Sequence, residues 1–363
     1  MFEWEKPLIE LERRIAELRT FSEAKGIDLS GEIATLEERA SALRQEIYRN
    51  LTPWQRVQIA RHPRRPTALD YIGRIFGDFL ELHGDRTFRD DPAIVGGIGL
   101  LDGIPVTVIG TQKGRDTKEN LARNFGLPHP EGFRKAMRLA RQAEKFGRPV
   151  VTLIDIVGAY PGIEAEERGQ GLVIAESIRT FSSLRTPIVC AITGEAGSGG
   201  ALAIGVGDRI LMMEYAWHSV ISPEGCASIL WKDAAKAPEA AAALRLTAEE
   251  CLRLGVVDEV LPEPPGGAHR DPDQAARTLK EALLRNLQDL LKVDRDELVR
   301  RREERYRHER SRPGPRTGPR EIEGTSPSSP GREGVQGRGT DHQHETGEEC
   351  ETNQDRMYHR AGE

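Results

Sequence analysis

A chain of 363 residues is long enough to bury one large domain or two smaller ones. Its formal net charge of -6 gives no general polyanion-binding signature, so nucleic acid is not indicated as a partner. No signal peptide and no apolar span of about eighteen residues is visible, which excludes the helical-membrane class and predicts a cytoplasmic protein.

The four cysteines, Cys190, Cys226, Cys251 and Cys350, lie far apart with no CxxC pairing. This speaks for a reducing compartment and against a structural zinc, so no metal is expected. Apolar residues at Leu8, Leu11, Ile15 and Leu18, then at Ile33, Leu36, Ala40, Leu43 and Ile47, are spaced three and four apart on either side of Gly26-Ile27-Asp28. They predict two amphipathic helices over residues 1–51, as a self-contained hairpin or as an arm for a partner.

A second region, 52–310, opens with Thr52-Pro53-Trp54-Gln55, which has a capping threonine, a first-turn proline and a glutamine at the third position. After the basic, proline-broken connector 61–66, Thr67 caps a helix predicted to reach about Leu82. Strands are predicted at Ile94–Leu101 and Ile104–Gly110, joined by the hairpin dipeptide Asp102-Gly103. The next stretch is basic, with Lys113, Arg115, Lys118, Arg123 and Arg134, and is either an exposed face or a contact for a substrate phosphate or carboxylate.

Two strand–loop–helix units come next. One runs from Pro149 to Ile156, through the loop 157–162, into a helix over about 164–184. Its counterpart has an apolar strand from Pro187 to Ile192, a turn over 194–200 and small apolar residues at helical density to Gly205. Parallel strands joined by helices bring both glycine-rich loops to the carboxyl end of one sheet, where ligands sit in α/β folds. With little side chain between Gly197 and Gly200, backbone N–H groups there are open to an oxyanion, although tight packing alone also explains such a turn. Short strands are predicted at 208–213 and 217–222, then a helix from Pro223 to about Trp231, alanine-rich helical sequence running to Leu246, a helix from Thr247, an edge strand at 256–260 and an amphipathic helix over about 273–291. From Ser311 to Glu363 large apolar residues nearly vanish, so the tail 311–363 is predicted to be disordered, and His342, His344, Cys350 and His359 within it are not read as a metal site.

Common catalytic signatures are missing. There is no Gly-x-Ser-x-Gly elbow, no phosphate-loop Gly-Lys-Ser/Thr and no His-Glu-x-x-His. Ser198 lacks an assignable base, and Glu164, Glu166 and Glu167 read as charge bias at a helix start. Preorganised backbone donors are the chemistry that remains, with a cofactor or second substrate bringing the reactive groups.

Several motifs, in order, resemble one family: Asp116-Thr-Lys-Glu119, Arg123-Asn-Phe-Gly126, Val157-Gly-Ala-Tyr-Pro-Gly162 with Glu166-Glu-Arg-Gly-Gln170, the turn Gly194 to Gly205, Val220 to Trp231, and Gly266-Gly-Ala-His-Arg270. The chain from about Phe2 to Tyr306 is similar to the alpha subunits of bacterial acetyl-coenzyme A carboxylase carboxyltransferase. The resemblance implies a crotonase-like, Clp-protease-like ββα spiral carrying an N-terminal helical hairpin. It implies transfer of a carboxyl group from carboxybiotin, on a biotin carboxyl carrier protein, to acetyl-CoA. The product is malonyl-CoA for fatty acid synthesis, in an ATP-dependent complex with biotin carboxylase. It implies activity only with a beta subunit, as an α2β2 assembly whose active site is shared, and no cofactor bound tightly by this chain.

By the same resemblance the amides of Gly199 and Gly200 form one of two oxyanion holes, and Gly158, Tyr160 and Gly162 line the biotin side. Lys113 and Arg115 are candidate substrate contacts. No side-chain base is implied, because a biotin nitrogen can take the acetyl proton. The sequence departs from the family pattern at Val157, where a proline is usual, at Ala196, where a glycine is common, and in the tail after about Arg310, which has no counterpart.

Overall fold

The structure is a computed structural model, and it describes residues 2–309. Its α/β architecture is built on one mixed sheet. The strands are β1 (Gly77–Glu81), β2 (Ile94–Leu101), β3 (Ile104–Thr111), β4 (Val150–Ile156), β5 (Ile188–Gly197), β6 (Arg209–Met213), β7 (Trp217–Ser219) and β8 (Glu259–Leu261). Spatial order is β1-β2-β3-β4-β5-β6-β8, and β7 pairs with β5 off that path. The first two pairings are antiparallel; every pairing from β3–β4 onward is parallel.

Every residue of β4 and of β5 is buried, as expected of central parallel strands covered on both faces. The helices Pro130–Lys145, Gln170–Ser183 and Pro272–Leu290 contribute Phe133, Leu139, Phe181, Leu279 and Leu283 to the same core. Asp102 and Gly103 both take positive φ, 46° and 83°, which is the two-residue hairpin geometry their sequence predicts. Thr52 and Gln55 cap the helix Pro53–Ala60 reciprocally: the threonine hydroxyl accepts the Gln55 N–H at 3.2 Å, and the glutamine carbonyl accepts the Thr52 N–H at 2.8 Å.

At the amino terminus, helices Lys6–Lys25 and Ser30–Arg49 fold back on each other at Gly26, which takes φ 64°. Leu8, Ile15, Ala40 and Tyr48 are buried between them, and Ile59 and Tyr215 of the body join that cluster. Arg270 pairs with Glu5 and Glu12 across the same junction.

Several expectations change. The strands expected at 217–222 and 256–260 are Trp217–Ser219, cut short before Ser222 caps the next helix, and Glu259–Leu261, where the pairing with β6 begins. The helix after Thr67 ends at Ile75, and 77–81 form β1 instead, because the edge of β2 offers backbone partners that a continued helix would leave unpaired. The helix expected over 164–184 is two pieces, Ile163–Glu167 and Gln170–Ser183, broken where Gly169 takes φ 80°. β5 continues through the glycine segment to Gly197, because β7 pairs with Glu195, Ala196 and Gly197; the helix after it, Ser198–Leu202, has only five residues.

The basic run near the end is a helix, Arg295–Glu309, anchored by a buried Arg302 whose guanidinium donates to Asp208 Oδ1 at 2.9 Å and Oδ2 at 2.8 Å. The predicted disordered tail 311–363, with Cys350 and its histidines, lies outside the described residues.

Candidate active site

The two glycine-rich turns meet at the carboxyl edge of the sheet. β4 and β5 run parallel, with Ile156 opposite Ala196, so the chains leave the strands side by side. They touch backbone to backbone. A Cβ added to Gly200 would lie 2.7 Å from the nitrogen of Ala159 and 2.7 Å from the carbonyl carbon of Gly158; one on Gly197 would lie 2.0 Å from the Val157 oxygen. Only glycine permits this approach.

Ser198 turns the chain from strand to helix at φ 55°, an uncommon left-handed conformation for a residue with a side chain. Among the described residues no acceptor takes the amide N–H of Gly199 or of Gly200. These are first-turn donors of a short helix, which has no intrahelical acceptor for them. Gly199 has more room than its neighbour, since its Cβ would meet only the Ile174 methyls at 3.4 and 3.5 Å. The Ser198 hydroxyl has no histidine or carboxylate partner among the described residues, so nothing there activates it as a nucleophile.

Charged groups lie beneath the turn. Lys113 Nζ donates to Asp155 Oδ1 and to Glu195 Oε1, both at 2.7 Å. The other Glu195 oxygen accepts from Arg61 Nε at 2.7 Å, and Arg61 holds Glu224 with both terminal nitrogens. Burial alone would raise the Glu195 carboxyl, but Lys113 and Arg61 hold it below the usual carboxylate range. Lys113 is raised above its ordinary value: burial opposes its charge, and the two carboxylates outweigh burial. A glutamate paired on both oxygens and kept ionised is poorly placed to exchange protons with a substrate.

The neighbouring turn is open. No heavy atom lies within 4 Å of where a Gly158 Cβ would be. Tyr160 stacks on His129 with ring centroids 4.1 Å apart and planes 19° apart, and a Cβ on Gly162 would strike the Tyr160 ring at 2.3 Å. Gln170 Nε2 pins the loop by donating to the carbonyls of Pro128 at 2.8 Å and Tyr160 at 3.0 Å. Under His129, the buried Asp91 accepts its backbone N–H at 2.7 Å, and burial pushes the Asp91 carboxyl up to about 6.

The structure thus gathers Gly158, Gly199, Gly200 and, one turn away, Tyr160 and Gly162. Lys113 lies below them and faces carboxylates. Arg115 is exposed at a separate cleft with Arg64 and Arg74, paired with Asp70. Ala196 is fully buried and lines an apolar cavity of 220 Å³ with Ile154, Ile192, Leu202 and His218; that cavity receives its extra methyl. Val157 is 37% exposed, and Ile163, Leu202, Val220, Ile229 and Leu230 are also exposed on elements flanking the turns.

Arg61, Glu224 and His129 were not singled out from the sequence. Their partners are 134, 163 and 38 positions away, so no local spacing marks them. Among the described residues no cluster of His, Cys, Asp or Glu is suited to a metal ion, and no helix is long and apolar enough to cross a membrane.

The sequence model of the acetyl co-enzyme A carboxylase carboxyltransferase-like family matches residues 1–309. An acetyl-coenzyme A carboxylase carboxyl transferase subunit alpha of Thermus thermophilus is 61% identical over 309 residues, covering 85% of this chain and 97% of that protein. Its namesake from Geobacillus kaustophilus is 58% identical over 305 residues, 84% of this chain and 94% of that one. Of solved structures, a Pseudomonas malonate decarboxylase hetero-tetramer in complex with coenzyme A aligns at a TM-score of 0.49 and 20% identity, over 60% of this chain and 88% of that chain.

Proposed function

Because this chain belongs to the acetyl co-enzyme A carboxylase carboxyltransferase-like family, we propose that it is the alpha subunit of a carboxyltransferase that carries a carboxyl group from carboxybiotin to acetyl-CoA, forming malonyl-CoA. Carboxybiotin reaches the site on a separate carrier protein and supplies the group transferred. What this chain contributes is a fixed surface on which charge develops.

Two oxygens gather negative charge as the carboxyl group passes, and each needs donors already in position. The amides of Gly199 and Gly200 are one such pair, with no protein acceptor among the described residues. The single observation that carries this reading is that two adjacent unpaired N–H groups sit on a turn pressed too closely against its neighbour for a side chain at Gly200. The open turn at Gly158, with the Tyr160 ring beside it and Gly162 beneath that ring, suits a flat, neutral ring such as the ureido bicycle of biotin.

The ion pairs on Glu195 favour backbone donors over a glutamate acid–base pair, and so favour carboxyl transfer over hydration of an enoyl thioester. We assign the second oxyanion hole to a beta subunit, which the exposed Leu202, Val220, Ile229 and Leu230 suit as apolar contacts. The carrier protein and biotin carboxylase complete the assembly on this reading.

Gly200→Val in the assembled alpha–beta complex is the direct test. Valine keeps the amide, but its side chain strikes the Gly158–Ala159 backbone and moves the donor off its position, and loss of one oxyanion donor reduces kcat by roughly 10²–10³-fold. A variant that assembles and still turns over at the wild-type rate would remove the donor role from this turn.

A further inference from the structure

β3, β4 and β5 end side by side, and each sends a charged residue to the same point beneath the glycine turn: Lys113 from the exit of β3, Asp155 from β4 and Glu195 from β5. The chain around Glu195 is held at several points. Its backbone N–H donates to Asp155 Oδ1 at 2.9 Å, and its carboxylate takes Lys113 and Arg61. Two residues earlier, the Thr193 carbonyl accepts from Arg65 Nε at 2.8 Å, and Arg65 is itself locked to Glu263 by two hydrogen bonds. Asp155 is fixed in turn, its own N–H donating to Thr111 Oγ1 at 2.7 Å. Gly194 lets the Asp155 carboxylate lie against the strand; a Cβ there would stand 2.4 Å from Oδ1.

Packing does not require this many charges. An apolar core of the same volume is often as stable or more so, so stability alone does not account for the network. The glycine turn comes directly after Glu195 in the chain, and a helix of five residues cannot set its own direction.

We propose that Lys113 and Arg61 are positioning residues for carboxyl transfer, acting through Glu195 to fix the strand from which the Gly199 and Gly200 amides project. This rests on the reading of those amides as oxyanion donors. Neither cation touches the reacting atoms. Lys113 staples three strand ends together, and Arg61 ties the far side of Glu195 to Glu224, in the first turn of the helix Pro223–Trp231. Charge-assisted hydrogen bonds of this kind hold geometry more firmly than neutral ones. Donors held in advance need no rearrangement as charge forms.

The test uses the full chain co-expressed with its beta subunit and measures kcat and both KM values for Glu195→Gln, Lys113→Met and Lys113→Arg. Displaced donors lower kcat by about tenfold or more in Glu195→Gln and Lys113→Met, while KM for either substrate stays within about twofold. Lys113→Arg, which keeps the charge, recovers most of the loss. Glu195→Gln leaves the Lys113–Asp155 pair in place, so it decides the matter even where Lys113→Met does not assemble. Unchanged kcat in an assembled Glu195→Gln complex, or a loss confined to KM, overturns the brace and leaves the donor reading standing. A wild-type complex that transfers no carboxyl group overturns both.

Discussion

The turn at 194–200 and the turn at 157–162 leave neighbouring parallel strands and touch one another, yet they are held in opposite ways. In the first, Thr193, Gly194 and Glu195 are fixed by Arg65, Asp155, Lys113 and Arg61, and the strand stays paired on both sides to its last residues. In the second, Gly158 faces open space, Val157 is exposed, and the anchors are neutral: the Gln170 amide, the Tyr160 N–H donating to the Pro128 carbonyl at 3.0 Å, and one ring stack. On the proposed function the contrast separates two tasks. Donors that stabilise developing charge are most effective when immobile. A surface that receives a ring carried on another protein needs access first.

Four results would break or sharpen that contrast, starting with the largest effect. Lys113→Met leaves Asp155 and Glu195 facing each other without their shared cation, and breaking such a pair costs about 3–5 kcal/mol. Denaturant titration reads this as a lower midpoint at unchanged slope; a midpoint equal to wild type means the charges do not hold the turn. Gly197→Ala comes next, because its methyl would stand 2.0 Å from the Val157 oxygen with backbone on both sides. Overpacking of this kind costs about 1–3 kcal/mol, and carboxyl transfer falls with it.

The third concerns pH. The folded-state pKa of Glu195 is depressed, so its ion pairs contribute stability above its ordinary value of 4.5, and that contribution is lost as pH falls through the depressed value. From about pH 8 down to about pH 5 the rate therefore shows no inflection that Glu195→Gln abolishes. An inflection near neutrality that does disappear in that variant would make Glu195 an acid–base group. Smallest of all, Gly158→Ala meets no atom within 4 Å and needs no positive φ, so its stability stays within about 0.5 kcal/mol of wild type. A large loss there would mean that the second turn is as tightly built as the first.

Local chemistry made much of the fold readable. Asp102-Gly103 marks the β2–β3 hairpin, Thr52 to Gln55 marks a helix start, and two apolar runs ending in glycines mark parallel strands whose loops share an edge. Reading failed where pairing overrode periodicity. The spacing of Leu69, Ile72, Phe76 and Leu80 suits a helix, but 77–81 lie against β2 and become a strand. The glycine segment looked like a loop from Gly194, whereas pairing with β7 keeps it extended to Gly197.

At the site, the glycines were visible because they sit next to one another in the chain. The brace was not, since Arg61, Lys113, Asp155, Glu195 and Glu224 come from five separate elements and only folding joins them. A basic stretch gave no sign that Lys113 would turn inward to two carboxylates while Arg115, two residues on, stays exposed beside Asp70.

If this glycine turn is one half of a shared site, neither subunit is active without the other, and reconstitution decides it. Purified alpha, purified beta from the same source, and an equimolar mixture are each given carboxybiotin and acetyl-CoA, and malonyl-CoA is measured. Product is expected from the mixture and from neither subunit alone. Malonyl-CoA made by the alpha chain by itself, or none from an assembled mixture, would contradict it.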